Sequence, residues 1–266
     1  MLVDIGVNLS NPQFVDIEGA LRRAIEADVS KLILTGTSID ETRAVIALCH
    51  KYEDSFPNML FATAGIHPHD AKDFDNQDMR ELKMLSSQDC VVAIGETGLD
   101  FYRNLSSPND QILAFERQIE LAIDCGKPLF MHERDAAKRQ LDIIKYYSND
   151  LPPSVIHCFT GDKQTLLNYL DLDLFIGITG WICDERRGVA LQNIVHNIPL
   201  SRLMIETDAP YLLPRNMPEK PKTRVNEPAY LPYILQSLTE HRHENYELIS
   251  QATFDNAVRF FGLPLS

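Results

Sequence analysis

Short β-rich apolar runs alternate with longer amphipathic runs along the chain, eight times over, and this alternation constrains the fold more than any other feature. The pattern predicts strands at Leu2–Val7, Lys31–Thr37, Leu60–Ile66, Val91–Ile94, Pro128–His132, Ser154–Phe159, Leu174–Ile178 and Leu203–Glu206. Between them, apolar stripes at helical spacing predict Phe14–Ala27, Glu41–Tyr52, Asp78–Ser86, Asp110–Asp124, Ala136–Tyr147, Lys163–Leu170, Arg187–His196 and Ala229–His241, with a last helix near Glu247–Phe260. Alternating β and α favours a parallel sheet. Eight units in 266 residues average about 33 residues each, which suits an α/β protein of the (β/α)8 TIM-barrel class, a single domain over 1–266. A doubly wound open sheet is the alternative, but no Gly-x-Gly-x-x-Gly or phosphate-loop signature accompanies it.

Charge narrows the classes of partner. Twenty-five basic residues against 38 acidic ones give a net charge of −13, which argues against broad, charge-driven coating of DNA or of an acidic membrane. No run reaches the roughly 18 apolar residues of a membrane span. The start lacks the basic and apolar regions of a signal peptide. The five cysteines, Cys49, Cys90, Cys125, Cys158 and Cys183, are scattered and odd in number. Free thiols in a reducing cytoplasm are the expectation. No obligate protein partner is implied.

In a parallel barrel, functional side chains sit at the C-terminal strand ends. Here the fourth strand leads to Glu96 and on to Asp100, the fifth ends at His132, the sixth carries His157 and the eighth leads to Asp208. These positions are equivalent in the repeating frame, so Glu96, His132, His157 and Asp208 are expected to converge on one mouth. Two imidazoles and two carboxylates suit Zn2+, Mn2+ or another borderline divalent ion, and Mg2+ where water and substrate oxygens complete the shell. Such a site activates water and neutralises a phosphoryl oxygen. His67, after the third strand, could donate to a phosphate or to the metal-activated hydroxide, or simply cap a turn beside Pro68. His69 reads more readily as such a cap, and Asp100 as an acceptor that orients a ligand or caps a turn. Arg103, Arg134, Arg186, Arg187 and Arg215, followed by Lys220, Lys222 and Arg224, fall in the loops expected at that mouth. They form a local basic patch suited to gripping a few phosphates. Trp181 and Tyr211 could stack a base. No nucleophile elbow is present.

Seven blocks carry a family resemblance. They are Asp4-Ile-Gly-Val-Asn-Leu9, Gly65-Ile-His-Pro-His69, Ala93-Ile-Gly-Glu-Thr-Gly-Leu-Asp100, Phe130-Met-His132, His157-Cys-Phe-Thr-Gly161, the segment from Gly177 to Gly188, and the segment from Ile205 to Pro214, with Asn226-Glu-Pro228 after them. In this order they resemble the TatD family of metal-dependent deoxyribonucleases. The resemblance implies a metallo-dependent-hydrolase barrel and Mg2+- or Mn2+-supported phosphodiester hydrolysis, described in the family as 3′–5′ exonuclease action on single strands, of DNA in the first place, with the choice between DNA and RNA left open. It places Glu96, His132, His157 and Asp208 on metal and catalytic positions, and a role in DNA repair follows from it alone. Most relatives begin Asp-x-His-x-His, whereas this chain has Gly6 and Asn8 there, as one branch of the family does. One firm metal site at Glu96, His132 and His157 and a weak second site are therefore expected, with Asp208 as general base or weak ligand.

Two other readings compete. An amidohydrolase-like enzyme acting on C–N or ester bonds shares the frame, but generally relies on the histidine pair missing here. A degenerate, non-catalytic barrel fits poorly with four retained ligand-type residues.

Overall fold

The computed structural model of the chain describes residues 1–265. Its eight parallel strands belong to one sheet in chain order, β1 to β8, with helices between them, which is the expected (β/α)8 class. By contacts the chain divides into two compact units: residues 1–34, 158–167 and 176 onward, and residues 35–157 with 168–175. No helix among the described residues is long and apolar enough to cross a membrane.

The first unit holds β1 (Leu2–Val7), β2 (Val29–Leu34), most of β7 (Phe175–Ile178) and β8 (Leu203–Ile205). All six residues of β1 are buried, as expected for a strand covered on both faces. Beyond the end of β8, Asp208 N donates to Gly6 O (2.9 Å) and Asn8 N donates to Ala209 O (2.8 Å), which ties that segment to β1. α1 (Ile17–Glu26) starts where Asp16 accepts from Gly19 N, a side-chain cap on an otherwise unpaired donor. The helix expected over Arg187–His196 is broken. α7 spans only Val189–Gln192, and a separate 3-10 turn covers Val195–Asn197. The Asp184 carboxylate takes the backbone N–H groups of Arg186 and Arg187, which holds that stretch in a turn. α6 (Lys163–Leu170) begins in this unit, and α8 (Leu231–His241) and α9 (Tyr246–Phe261) complete it.

The second unit holds β3 (Leu60–Ala64), β4 (Val91–Asp100), β5 (Leu129–Arg134) and β6 (Ser154–Ile156), with α2 (Ile39–Tyr52), α3 (Asn76–Ser86), α4 (Pro108–Cys125) and α5 (Ala137–Tyr146). β4 extends six residues past the expected end at Ile94. Its pairing with β5 resumes as Thr97–Met131, Gly98–His132, Leu99–Glu133 and Asp100–Arg134. That continuation puts Glu96 inside a strand and sets Asp100 level with Arg134. Two glutamines on the buried face of α4 secure the strand ends. Gln118 accepts from Ile66 N (2.8 Å) and donates to Ile66 O (3.0 Å). Gln111 accepts from Asp100 N (2.9 Å) and donates to Asp100 O (3.1 Å). Each amide thus supplies the ladder bonds that a departing strand would otherwise leave unmade.

Two glycines separate conformational need from crowding. Gly126 ends α4 at φ +63° with open space where a Cβ would stand, whereas Gly98 has φ +136° and a Cβ there would run into the carbonyl oxygen of His132. Gly126→Ala is expected to cost about 1 kcal/mol. Gly98→Ala is expected to cost about 3 kcal/mol or more, because backbone must move as well. At roughly 2–4 °C per kcal/mol for a chain of this size, thermal unfolding followed by circular dichroism resolves the two. Equal shifts would disprove the crowding argument.

Candidate metal centre

The second unit gathers three imidazoles on one carboxylate oxygen. Glu96 Oε1 lies 3.3 Å from His67 Nε2, 2.9 Å from His132 Nδ1 and 2.7 Å from His157 Nε2. Ligand atoms of His67, Glu96 and His132 lie within 4.8 Å of one another. Strand geometry produces this arrangement. Glu96 projects from the middle of β4, His132 from β5 and His157 from just past β6, while His67 follows β3 and opens a 3-10 turn over Pro68–Asp73. The structure therefore brings together the three expected ligands of this unit and adds His67 to them.

Burial dominates the electrostatics. Alone it would raise the Glu96 carboxyl, but the neighbouring imidazoles of His157 and His67 and hydrogen bonds from His132 and His157 hold it well below the usual carboxylate range. Burial lowers the His67 imidazole against the pull of Glu96, so that ring is neutral. His67 Nδ1 accepts from His69 N (3.1 Å). A neutral imidazole that accepts at Nδ1 carries its proton on Nε2. His67 therefore faces Glu96 as a donor, although its distance alone would admit it as a ligand. Burial opposes protonation of His132 too, but Asp100 and Glu96 outweigh it and raise that ring. His132 Nε2 is buried without a hydrogen-bond partner, 3.6 Å from Asp100 Oδ2. At that distance Asp100 acts on it as a charge.

Asp100 organises the rim. It accepts from His69 Nε2 (2.7 Å) and from Arg103 N (2.7 Å). His69 is thus an Asp100 partner rather than a simple turn cap. The Arg134 guanidinium stacks 4.3 Å from the centre of the Tyr102 ring. Neither Arg103 nor Arg134 has an acidic partner among the described residues.

Asp208 lies in the first unit, at φ +53°. Asn8 Nδ2 donates to Asp208 Oδ1 (3.1 Å) and to Ala209 O (3.3 Å). Both partners only accept, so the amide nitrogen is identified by its surroundings. Thr207 beside it is clamped. Its N and Oγ1 donate to the buried Asp4 carboxylate at 2.8 and 2.5 Å, and its carbonyl accepts from Asn226 Nδ2 (3.0 Å). Burial, opposed by these Thr207 bonds and aided by the charge of Glu206, pushes the Asp4 carboxyl up to about 8. In the same unit Arg215 makes a two-pronged ion pair with Glu185 (2.8 and 2.5 Å), and Arg186 Nε lies 3.9 Å from the same carboxylate. Sequence reading missed Asp4 as a clamp, Tyr102, Gln111 and Gln118. The glutamines were detectable as polar residues within the buried stripe of α4.

The residues fit a divalent ion: converging nitrogens and one carboxylate, dry surroundings, and an orphaned buried ring nitrogen on His132. In titration calorimetry with Mn2+, Glu96→Ala and His132→Ala are expected to weaken binding at least about tenfold. His67→Ala should retain affinity within a few-fold; an equal loss there would make His67 a ligand. A second expectation concerns Asp4. An acid whose folded pKa lies above its unfolded value favours the folded state while protonated, and that advantage is lost as pH rises from about 4 to about 8. Stability should decline over that window by up to about 1.4 kcal/mol per pH unit. Asp4→Asn should flatten the decline in denaturant titrations, and an unchanged slope would contradict the assignment.

Residues 3–262 match the family described as TatD related DNase. A Pectobacterium carotovorum protein named 3′-5′ ssDNA/RNA exonuclease TatD is 44% identical over 263 residues, 98% of this chain and 100% of its own length. A Citrobacter rodentium protein of the same name is 45% identical over 265 residues, 99% of each. The crystal structure of the TatD homologue YJJV from Escherichia coli K12 superposes with a TM-score of 0.88 at 27% identity, covering 99% of this chain and 98% of that one. The TatD family hydrolase of Entamoeba histolytica does so at 0.90 and 26% identity, covering 98% and 97%. With sequence, fold and the metal-capable cluster in agreement over nearly the whole length, the chain belongs to the TatD-related DNase family.

Proposed function

We propose that this chain is a divalent-metal-dependent nuclease that removes nucleotides from the 3′ end of single-stranded DNA and also acts on RNA. The observation that carries the reading is the convergence of His67, His132 and His157 on the buried Glu96 oxygen. The names of relatives at 44–45% identity support the substrate class. Glu96, His132 and His157 would hold the ion, Mg2+ or Mn2+, which when bound supplies an activated water and neutralises phosphoryl charge. His67 donates from Nε2 toward a phosphate oxygen. Asp100 keeps His69 and the Arg103 backbone in place, and the unpaired Arg103 and Arg134 offer charge to the strand. Asn8 directs its amide N–H groups at Asp208 and Ala209. Only its carbonyl oxygen is then left for an ion, which supports one firm metal site and a weak second one. Asp208 as general base or weak ligand rests on the sequence blocks. The chain is proposed to act as one hydrolase domain in a reducing cytoplasm, with none of its five cysteines in a disulfide.

Strands labelled at the 3′ or the 5′ end, incubated with Mg2+ or Mn2+, test the reading. The 3′ label should appear at once as mononucleotide, and the 5′ label as a shortening ladder. Chelation should stop both. Asp208→Asn should lower kcat at least about a hundredfold, within the usual range for loss of a general base. Hydrolysis that survives chelation, or turnover of acyl-amino acids in place of strands, would refute the proposal.

A further inference from the structure

Tyr102 is a large aromatic residue left 60% exposed. It lies two residues past Asp100, as Arg134 lies two past His132, and β4 and β5 pair Asp100 with Arg134. Phe101 N donates to Arg134 O (3.0 Å), which carries the pairing one step further. The ring and its stacked guanidinium therefore occupy the rim directly beyond the Glu96–histidine cluster, at a reach of two residues, roughly 7 Å of backbone. Among the described residues Arg134 forms no ion pair, and neither does Arg103, the residue that follows Tyr102. In a chain of net charge −13, an exposed aromatic ring with Arg134 stacked on it and Arg103 next to it in sequence offers a π-face combined with positive charge, the pairing that a base and its phosphate require.

We infer that Tyr102, backed by Arg134, is a stacking platform for one unpaired base of the substrate strand, with Arg103 and Arg134 facing its phosphates. This rests on the nuclease reading and deepens it. An aromatic face accepts any of the bases, because all present a π-surface. It accepts a base only when that base is free of its neighbours, so the platform selects single strands without selecting sequence. The position beyond the cluster assigns it a nucleotide at or next to the one being released.

The test compares parent, Tyr102→Phe and Tyr102→Ala. Fluorescence anisotropy in EDTA measures binding of a labelled single-stranded oligothymidylate, and steady-state hydrolysis with Mn2+ separates KM from kcat. Tyr102→Ala should weaken binding and raise KM on the order of tenfold, the change produced by loss of one base–aromatic stack, with kcat within about twofold. Tyr102→Phe, which keeps the ring, should stay within about twofold of the parent in both. Abasic sites are then placed singly at the last three nucleotides of the 3′ end. At one position the missing base should weaken binding to the parent about tenfold and leave the Tyr102→Ala protein unaffected. Equal affinities for parent and Tyr102→Ala, or abasic penalties that persist undiminished in Tyr102→Ala, would overturn the platform. A parent that binds strands but hydrolyses none would sink the nuclease reading while the anisotropy arm still decides the platform. A parent that binds no single strand rejects both.

Discussion

A carboxylate stripped of water must find charge or donors nearby, and Glu96 is where that requirement organises this chain. Its burial favours the neutral acid, yet three imidazole nitrogens within 3.3 Å of one oxygen keep it ionised. The arrangement is reciprocal: Glu96 helps raise His132, while burial keeps His67 neutral against it. Packing as many nitrogens around one anion serves stability poorly, since an apolar cluster would avoid the desolvation altogether. The same donors suit a cation that brings its own charge. The cluster therefore makes more physical sense as a binding site than as a structural ion-pair network.

Neutral hydrogen bonds do the positioning. Gln118 and Gln111 reach from α4 to the backbone at Ile66 and Asp100, so the residues after β3 and β4 are held by amides that no change of pH near neutrality can discharge. The Asp4–Thr207 clamp does comparable work in the first unit, fixing the residue before Asp208 by its backbone and hydroxyl together. There the acceptor is itself a buried acid, so the clamp is coupled to pH in a way the glutamines are not. Asp208 at φ +53° occupies a conformation that side-chain-bearing residues visit rarely. The Asn8 bond to its carboxylate and the Asp4 clamp on the preceding Thr207 hold it there.

How much of this was legible followed from how local each cause is. Glu96, His132 and His157 were readable because each sits at or near the end of an apolar strand, and the repeat aligns such positions without any knowledge of contacts. The extension of β4 was not readable, because Gly95-Glu-Thr-Gly98 has the composition of a turn and is held as strand by its β5 neighbour. Arg187–His196 read as one helix because apolar spacing cannot register that Asp184 captures the backbone at Arg186 and Arg187, which delays the helix start to Val189. The bond from Asn8 to Asp208 joins residues 200 positions apart. The role of His67 turned on which ring nitrogen meets a backbone N–H, a detail of one turn. Tyr102 gave no periodic signal at all, since a single exposed ring belongs to no stripe.

The distribution of arginine charge matters more than its count. Arg186 and Arg215 lie among loop residues that looked like a phosphate grip, but both face Glu185, and Arg215 engages it with two nitrogens. An exposed pair of that kind contributes at most about 1 kcal/mol, yet it largely cancels the field that either arginine would project at a distance. Arg103 and Arg134 keep theirs. Against a background of −13, an approaching polyanion is repelled over most of the surface and meets the unpaired Arg103 and Arg134 near Asp100 and His132. Attraction confined to a few phosphates gives weak, quickly reversible contact, because the salt-dependent part of the affinity scales with the number of phosphates neutralised. For an enzyme that must let go of its strand after each cut, a small unpaired patch at the rim and acidic repulsion elsewhere are complementary parts of one electrostatic arrangement.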